Sequence, residues 1–84
     1  MNTIANVDSD LGNSILKALL NSGWTIAEQY PKNAFDKGID YDFYTLKNDR
    51  NTLFFEWDNW SEWLIKGEEK LLTMLRDQYG LKNA

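Results

Sequence analysis

The sequence predicts an α+β fold, in which an antiparallel three- to four-stranded meander sheet is flanked by an N-terminal and a C-terminal helix (α-β-β-β-(β)-α). Three observations support this fold. Apolar residues recur at helical spacing near both ends of the chain. Between these stretches, apolar and polar residues alternate in short segments that are separated by turn-forming residues. The length of 84 residues suits one domain, residues 1–84.

The first helix is predicted over residues 9–22, after a segment 1–7 that is small, mostly polar and expected to be frayed. Residues Asp8–Asp10 supply N-cap oxygens and negative charge for the first turn. Gly12 weakens that turn by up to about 1 kcal/mol relative to Ala. Gly23 stands where a left-handed residue ends a helix. The apolar stripe comprises Leu11, Ile15, Ala18 and Leu19, widened by Leu16 and Leu20.

The middle of the chain alternates with the period of two that is typical of strands. Pro31 ends the first alternating segment, and residues 31–38 form a loop from which Phe35 is expected to point inward. Residues 48–51 read Asn-Asp-Arg-Asn, which is typical of a turn. The three predicted strands are residues 24–30, 39–47 and 52–57.

Residues 60–66 admit two interpretations. A hairpin turn at Asp58–Asn59 makes them a fourth strand. Alternatively, a capping box between Asn59 and Glu62 opens one long helix that continues to residue 79. We favour the strand because Gly67 inside a helix costs about 1 kcal/mol.

The last helix is then predicted over residues 68–79. Acidic Glu68 and Glu69 fall in its first turn, where they face the positive end of the helix dipole. Gly80 is placed as the left-handed terminating residue, with Leu81 as its apolar contact. The apolar stripe comprises Leu71, Leu72, Leu75 and Tyr79.

The composition excludes several classes of function. The chain has no Cys and no His, which excludes disulfides, Cys/His zinc sites, thiol nucleophiles and triads that need imidazole. A formal charge of −4 argues against direct binding of nucleic acid. The apolar runs are too short to span a membrane, and no secretory signal begins the chain, so we expect a cytoplasmic protein without a membrane partner. Glycine-rich phosphate and dinucleotide motifs are absent, so we expect no cofactor.

The negative charge is concentrated in one segment. Residues 35–63 hold seven acids and three bases, which equals the whole net charge of −4. The same segment holds nine of the twelve aromatic residues. Because the two types are interleaved, strand alternation sorts them between the two faces of a sheet.

The pairing register of the second and third strands decides how they are sorted. If residue 47 pairs with residue 52, Asp42 lies opposite Trp57 and Phe43 lies opposite Glu56. If residue 45 pairs with residue 55, aromatic and acidic side chains separate onto different faces. We favour the second register because it buries aromatic rings and leaves carboxylates in water.

This favoured register has two consequences. It requires a loop of odd length, with Asn48 or Asn51 in the left-handed conformation. It also builds a core face from Tyr41, Phe43, Phe55 and Trp57 and an acidic outer face opposite. The predicted partner-binding residues on and beside that outer face are Asp40, Asp42, Tyr44, Phe54, Glu56, Asp58 and Trp60.

Other chemistries find weaker support. Asp42 and Asp58 are candidates for an acid/base pair, but an 84-residue chain has little room for a deep pocket, so we expect no enzyme. The Asp36-x3-Asp40-x-Asp42 spacing lacks the end-position Glu of a calcium loop, so we expect no metal. The tryptophans that recur every third residue from Trp57 resemble a stacking platform, but their neighbours are acidic.

The sequence therefore predicts a small acidic protein-binding module. Its most concrete form is an inhibitor or immunity-type protein that masks a basic surface of its partner, with carboxylates standing in for phosphates. The alternative is a structural domain that self-associates as a homodimer through an exposed edge strand, 60–66 or 24–30.

Overall fold

The described residues fold into a five-stranded antiparallel sheet with two helices on one of its faces. The computed structural model describes residues 2–30 and 41–81. Helix α1 crosses from the first strand to the second, and α2 follows the last strand. The elements are β1 (Asn2–Val7), α1 (Ser9–Asn21), β2 (Thr25–Gln29), β3 (Tyr41–Asn48), β4 (Asn51–Asp58), β5 (Glu62–Gly67) and α2 (Glu69–Tyr79).

The sheet order is β1-β5-β4-β3-β2, and every neighbouring pair is antiparallel. The α+β class, both helices and the meander from β2 to β5 are therefore confirmed. The strand count of three to four was too low, because residues 2–7 form the strand β1 instead of a frayed terminus. Ile4 of β1 pairs with Ile65 of β5 and is 1 % exposed, so its burial in the core holds this strand in place.

Strand β5 confirms the strand interpretation of residues 60–66, although it begins at Glu62. It lies between β4 and β1 in the interior of the sheet, so the expectation that residues 60–66 form an exposed edge was wrong. Strand β2 lies at one edge, with all five residues exposed. The predicted loop 31–38 and Phe35 lie outside the described residues.

The favoured register of β3 with β4 was also wrong. Asn48 pairs with Asn51 across a two-residue turn, and Asp42 pairs with Trp57. Asp49 takes a φ of 59° at the first turn position, where two-residue hairpin loops favour a positive φ. The observed register places Leu46 and Leu53 directly opposite each other, both fully buried. The register favoured from the sequence would have put these two leucines on different faces of the sheet.

The core lies between the sheet and the helices. It joins the apolar stripe of each helix to alternate residues of β4 and β5, to Leu46 of β3, and to Ile4 and Val7 of β1. Asp8 caps α1 by accepting hydrogen bonds from the backbone N–H groups of Asp10 and Leu11. Gly23 and Gly80 follow the helices with positive φ, as predicted. The fully buried side chains are Phe55, Ile4, Ile15, Leu46, Leu53, Ile65, Leu72 and Leu75.

Within the described residues, neither helix is long and apolar enough to cross a membrane.

Candidate partner-binding surface

In the part of the chain that the structure describes, both helices pack on the same face of the sheet, and we call the opposite side the open face. Because side chains alternate along strands, the register of β3 with β4 assigns residues to each face. Phe55, Leu46 and Leu53 face the helices and are fully buried. The side chains of the central strands on the open face include Tyr41, Phe43, Thr45, Phe54, Glu56, Asp58, Leu64 and Lys66.

Three aromatic rings pack together at one end of the open face. The ring centroids of Tyr30 and Tyr41 lie 5.7 Å apart, and those of Tyr30 and Phe43 lie 6.0 Å apart, both in edge-to-face geometry. Tyr41 and Phe43 complete the triangle at 6.1 Å. Tyr41 is 39 % exposed, so this aromatic cluster presents ring surface to solvent beside the first residue of β3.

A shallow depression of about 120 Å³ lies next to this cluster, between β3 and β4. It is lined by Tyr41, Phe43–Thr45 and Phe54–Glu56. Thr45 is 8 % exposed and lies between the aromatic side chains. Small-molecule sites usually enclose about 300–1,000 Å³, so a cleft of this size suits one side chain of a partner better than a free ligand.

Glu56 and Lys66 are the charged groups beside the depression. Lys66 Nζ lies 3.1 Å from Glu56 Oε1, and both side chains are more than one-third exposed. The pKa of the Tyr41 hydroxyl is raised above 10.0, first by burial and then by the negative charge of Glu56. The phenol therefore stays neutral at ordinary pH, as a hydrogen-bonding group at the rim of the depression.

The turn from β4 to β5 lies at the same end of the sheet as the aromatic cluster, because Asp58 pairs with Tyr41. Asp58 Oδ1 accepts hydrogen bonds from the backbone N–H groups of Trp60 at 2.9 Å and Ser61 at 2.6 Å. This carboxylate therefore holds the turn in shape. Trp60 lies on the turn and is 83 % exposed, more than any other large apolar side chain described.

Several carboxylates meet at this end of the sheet, which we call the acidic end. They come from the first turn of α1, the start of β3, and the β4–β5 turn with the first residue of β5. The opposite end carries charges of both signs, because Lys47 and Arg50 lie beside Asp49 on and next to the β3–β4 turn. The residues of the acidic end are Asp8, Asp10, Asp42, Asp58 and Glu62.

The structure distributes the predicted partner-binding residues over three places. Phe54, Glu56 and Asp58 lie on the open face, and Trp60 lies on the adjoining turn. Asp42 and Tyr44 lie on the helix-covered side, because they pair with Trp57 and Phe55. Asp40 lies outside the described residues. The single acidic sheet face expected from the other register is therefore not assembled.

Tyr44 serves the core more than the surface. Its ring lies 6.2 Å from that of Trp63, and Trp63 is 4 % exposed. Burial and the charge of Asp42 raise the pKa of the Tyr44 hydroxyl above 10.0. Asp42 and Asp58 lie on opposite faces, so they do not form the acid/base pair considered above. Within residues 2–30 and 41–81, no group of three or more acidic side chains is arranged to hold a metal ion.

A hydrogen-bonded chain at the acidic end is absent from the sequence predictions. The Trp57 indole N–H donates to Ser9 Oγ at 2.9 Å, and Ser9 Oγ–H donates to Glu62 Oε1 at 3.0 Å. Glu62 Oε1 also accepts the backbone N–H of Ser9 at the start of α1. Ser9 is far from Trp57 and Glu62 in the sequence, and only the capping signal at residues 8–10 pointed to Ser9. This series of hydrogen bonds fixes the β4–β5 turn to α1 and so orients the turn that carries Trp60.

Comparison with known proteins finds no matching family model, no similar curated protein and no similar solved structure.

Proposed function

We propose that this chain is a small acidic protein-binding module that contacts its partner through the open face and the adjoining β4–β5 turn. The observation that carries the proposal is a sheet that, within residues 2–30 and 41–81, is covered by helices on one side and carries aromatic rings on the other. Partly exposed Tyr and Trp side chains are typical anchors of protein interfaces. Here Tyr41 and Trp60 lie at the same end of the sheet.

The charge of the chain favours a cationic partner. The formal charge is −4, and the acidic end borders both Tyr41 and Trp60. Complementary charge speeds association and rejects acidic competitors. In its more specific form, the proposal is an inhibitor or immunity-type protein that masks a basic active site or a nucleic-acid-binding surface.

Affinity capture from the source cell, with mass spectrometry, supplies the partner, and titration with the purified partner then tests the surface. We expect Tyr41→Ala and Trp60→Ala each to weaken binding by about 30-fold, as interface anchors do. Met74→Ala is the control, because Met74 is 44 % exposed on α2, away from the open face. A partner that binds both variants as tightly as the unchanged protein would refute the proposal.

A further inference from the structure

The depression between β3 and β4 combines three properties that point to one kind of side chain. It is small, at about 120 Å³, it is walled by aromatic residues, and a carboxylate stands at its rim. The walls include Tyr41, Phe43 and Phe54, and the carboxylate belongs to Glu56. A planar guanidinium stacks on aromatic faces and binds a carboxylate through two parallel N–H groups.

We propose that this depression receives one arginine side chain of the partner, an inference that rests on the proposed function and adds the chemistry of the contact. The guanidinium lies against the aromatic rings, and its N–H groups donate to the Glu56 carboxylate. The net charge of −4 and the neighbouring acidic end favour a cation at this place. An aliphatic side chain would fill the volume but leave Glu56 without a new partner.

The ion pair between Glu56 and Lys66 competes with the incoming arginine. Lys66 Nζ holds Glu56 Oε1 at 3.1 Å, and both groups are partly exposed, so the pair is weak and exchangeable. A partner's arginine therefore replaces Lys66 or shares the carboxylate with it. This competition gives the inference a distinctive test, since removing Lys66 should strengthen binding and removing Glu56 should weaken it.

The experiment is an NMR titration of the full chain with the peptide acetyl-Gly-Arg-Gly-amide. We expect saturable shifts of the backbone amide signals around Phe43, Phe54 and Glu56. A citrulline peptide, which has the same shape but no charge, should bind about fivefold more weakly. A lysine peptide should also bind more weakly, because an ammonium group lacks the planar fork.

Variants sharpen the titration. Glu56→Gln should weaken binding of the arginine peptide by up to about fivefold, and Lys66→Gln should strengthen it by a similar factor. Asp77→Asn on α2 makes the same change in net charge as Glu56→Gln and should have no effect. These three substitutions lie at partly or fully exposed positions, so the folded state is retained.

Three results would overturn the inference. The first is the absence of a saturable shift at the depression. The second is a citrulline peptide that binds as tightly as the arginine peptide, and the third is a lysine peptide that does so. The proposed function fails separately, because it depends on partner binding that is lost in Tyr41→Ala and Trp60→Ala. If the partner binding depends on those residues but the arginine peptide does not bind, the surface stands and the assignment of arginine falls.

Discussion

Gly12 lies in the first turn of α1, directly against the indole ring of Trp63. A Cβ at this position would overlap Trp63 Cδ1 and Cγ. Helix propensity alone treats this glycine as a weakness, but the close approach of helix and sheet requires it. The two effects have opposite signs, and the overlap is the larger because a buried indole in a packed core has little room to move.

We therefore expect Gly12→Ala to lower the free energy of unfolding by about 1–3 kcal/mol, despite a gain of up to about 1 kcal/mol in helix propensity. Urea unfolding followed by tryptophan fluorescence measures the change. Ser14→Ala, at an exposed position of the same helix, is the control and should be neutral or slightly stabilising. An unchanged or raised stability of Gly12→Ala would contradict the packing argument.

The Trp57–Ser9–Glu62 chain provides a second test at this scale. Ser9→Ala leaves the partly buried Trp57 indole N–H without its acceptor, which should cost about 1–2 kcal/mol of unfolding free energy. In a Trp57→Phe background that cost should shrink, because the donor is gone. A double-mutant cycle from urea titrations gives the coupling energy. Equal effects of Ser9→Ala in both backgrounds would show that the hydrogen bond does not contribute.

The Tyr44 hydroxyl should make the free energy of unfolding depend on pH in the alkaline range. Burial and Asp42 raise the pKa of its hydroxyl in the folded state above the ordinary value of 10.0. The unfolded chain then loses this proton first, so the stabilisation is complete below about pH 10 and is lost as pH rises through the folded pKa. We expect unfolding free energy to fall less steeply above pH 10 in Tyr44→Phe than in the unchanged chain. Parallel urea titrations across this range would reveal identical slopes if the prediction is wrong.

At the scale of elements, β1 shows why one strand escaped prediction. Its two core residues, Ile4 and Val7, are three positions apart instead of two or four. The register shifts between them, and Asn6 takes a φ of 57°, so an irregular backbone brings both side chains to the same face. Alternation cannot reveal a strand whose alternation is broken. By contrast, β4 alternates regularly and was predicted directly, whereas β5 was predicted as the favoured of two interpretations.

The substitution Ile4→Ala tests whether residues 2–7 form a paired strand or a frayed terminus. Because Ile4 is 1 % exposed, we expect the substitution to cost about 2–5 kcal/mol of unfolding free energy. Asn2→Ala, at an exposed position of the same strand, should change stability by less than about 0.5 kcal/mol. Thermal and urea unfolding provide the measurement. A neutral Ile4→Ala would mean that residues 2–7 are not held in the sheet.

At the scale of the whole molecule, carboxylates from separate segments of the chain lie at one end of the sheet. The acidic end gathers carboxylates from α1, β3 and the β4–β5 turn, although these segments are distant in sequence. The partner surface we propose combines this end with the aromatic open face. The affinity for the partner should therefore have two parts. Burial of the aromatic rings contributes at any salt concentration, whereas charge attraction is screened by salt.

Sedimentation measures the oligomeric state of the chain, and a salt titration measures the contribution of charge to partner binding. We expect the isolated chain to stay monomeric at the concentrations used for NMR, and the association rate with its partner to fall as salt is added. A dimer would instead support the alternative of self-association through the edge strand β2, which has a neighbour on one side only within the described sheet. In that case a proline at Ala27 in β2 should restore the monomer.

The sequence by itself determined the two helices, their terminating glycines and the positions of β2 to β4, and it favoured a strand over a helix for β5. These features depend on short-range periodicity. Tertiary structure alone decided three things: the addition of β1 to β5, the register of β3 with β4, and hence the composition of the open face. The register in which two strands pair is decided by which side chains come to share a buried face. The register favoured from the sequence separates aromatic rings from carboxylates, whereas the observed register also buries Leu46 and Leu53 on the same face. That requirement placed Tyr41 and Phe43 on the solvent side, where they form the proposed binding surface.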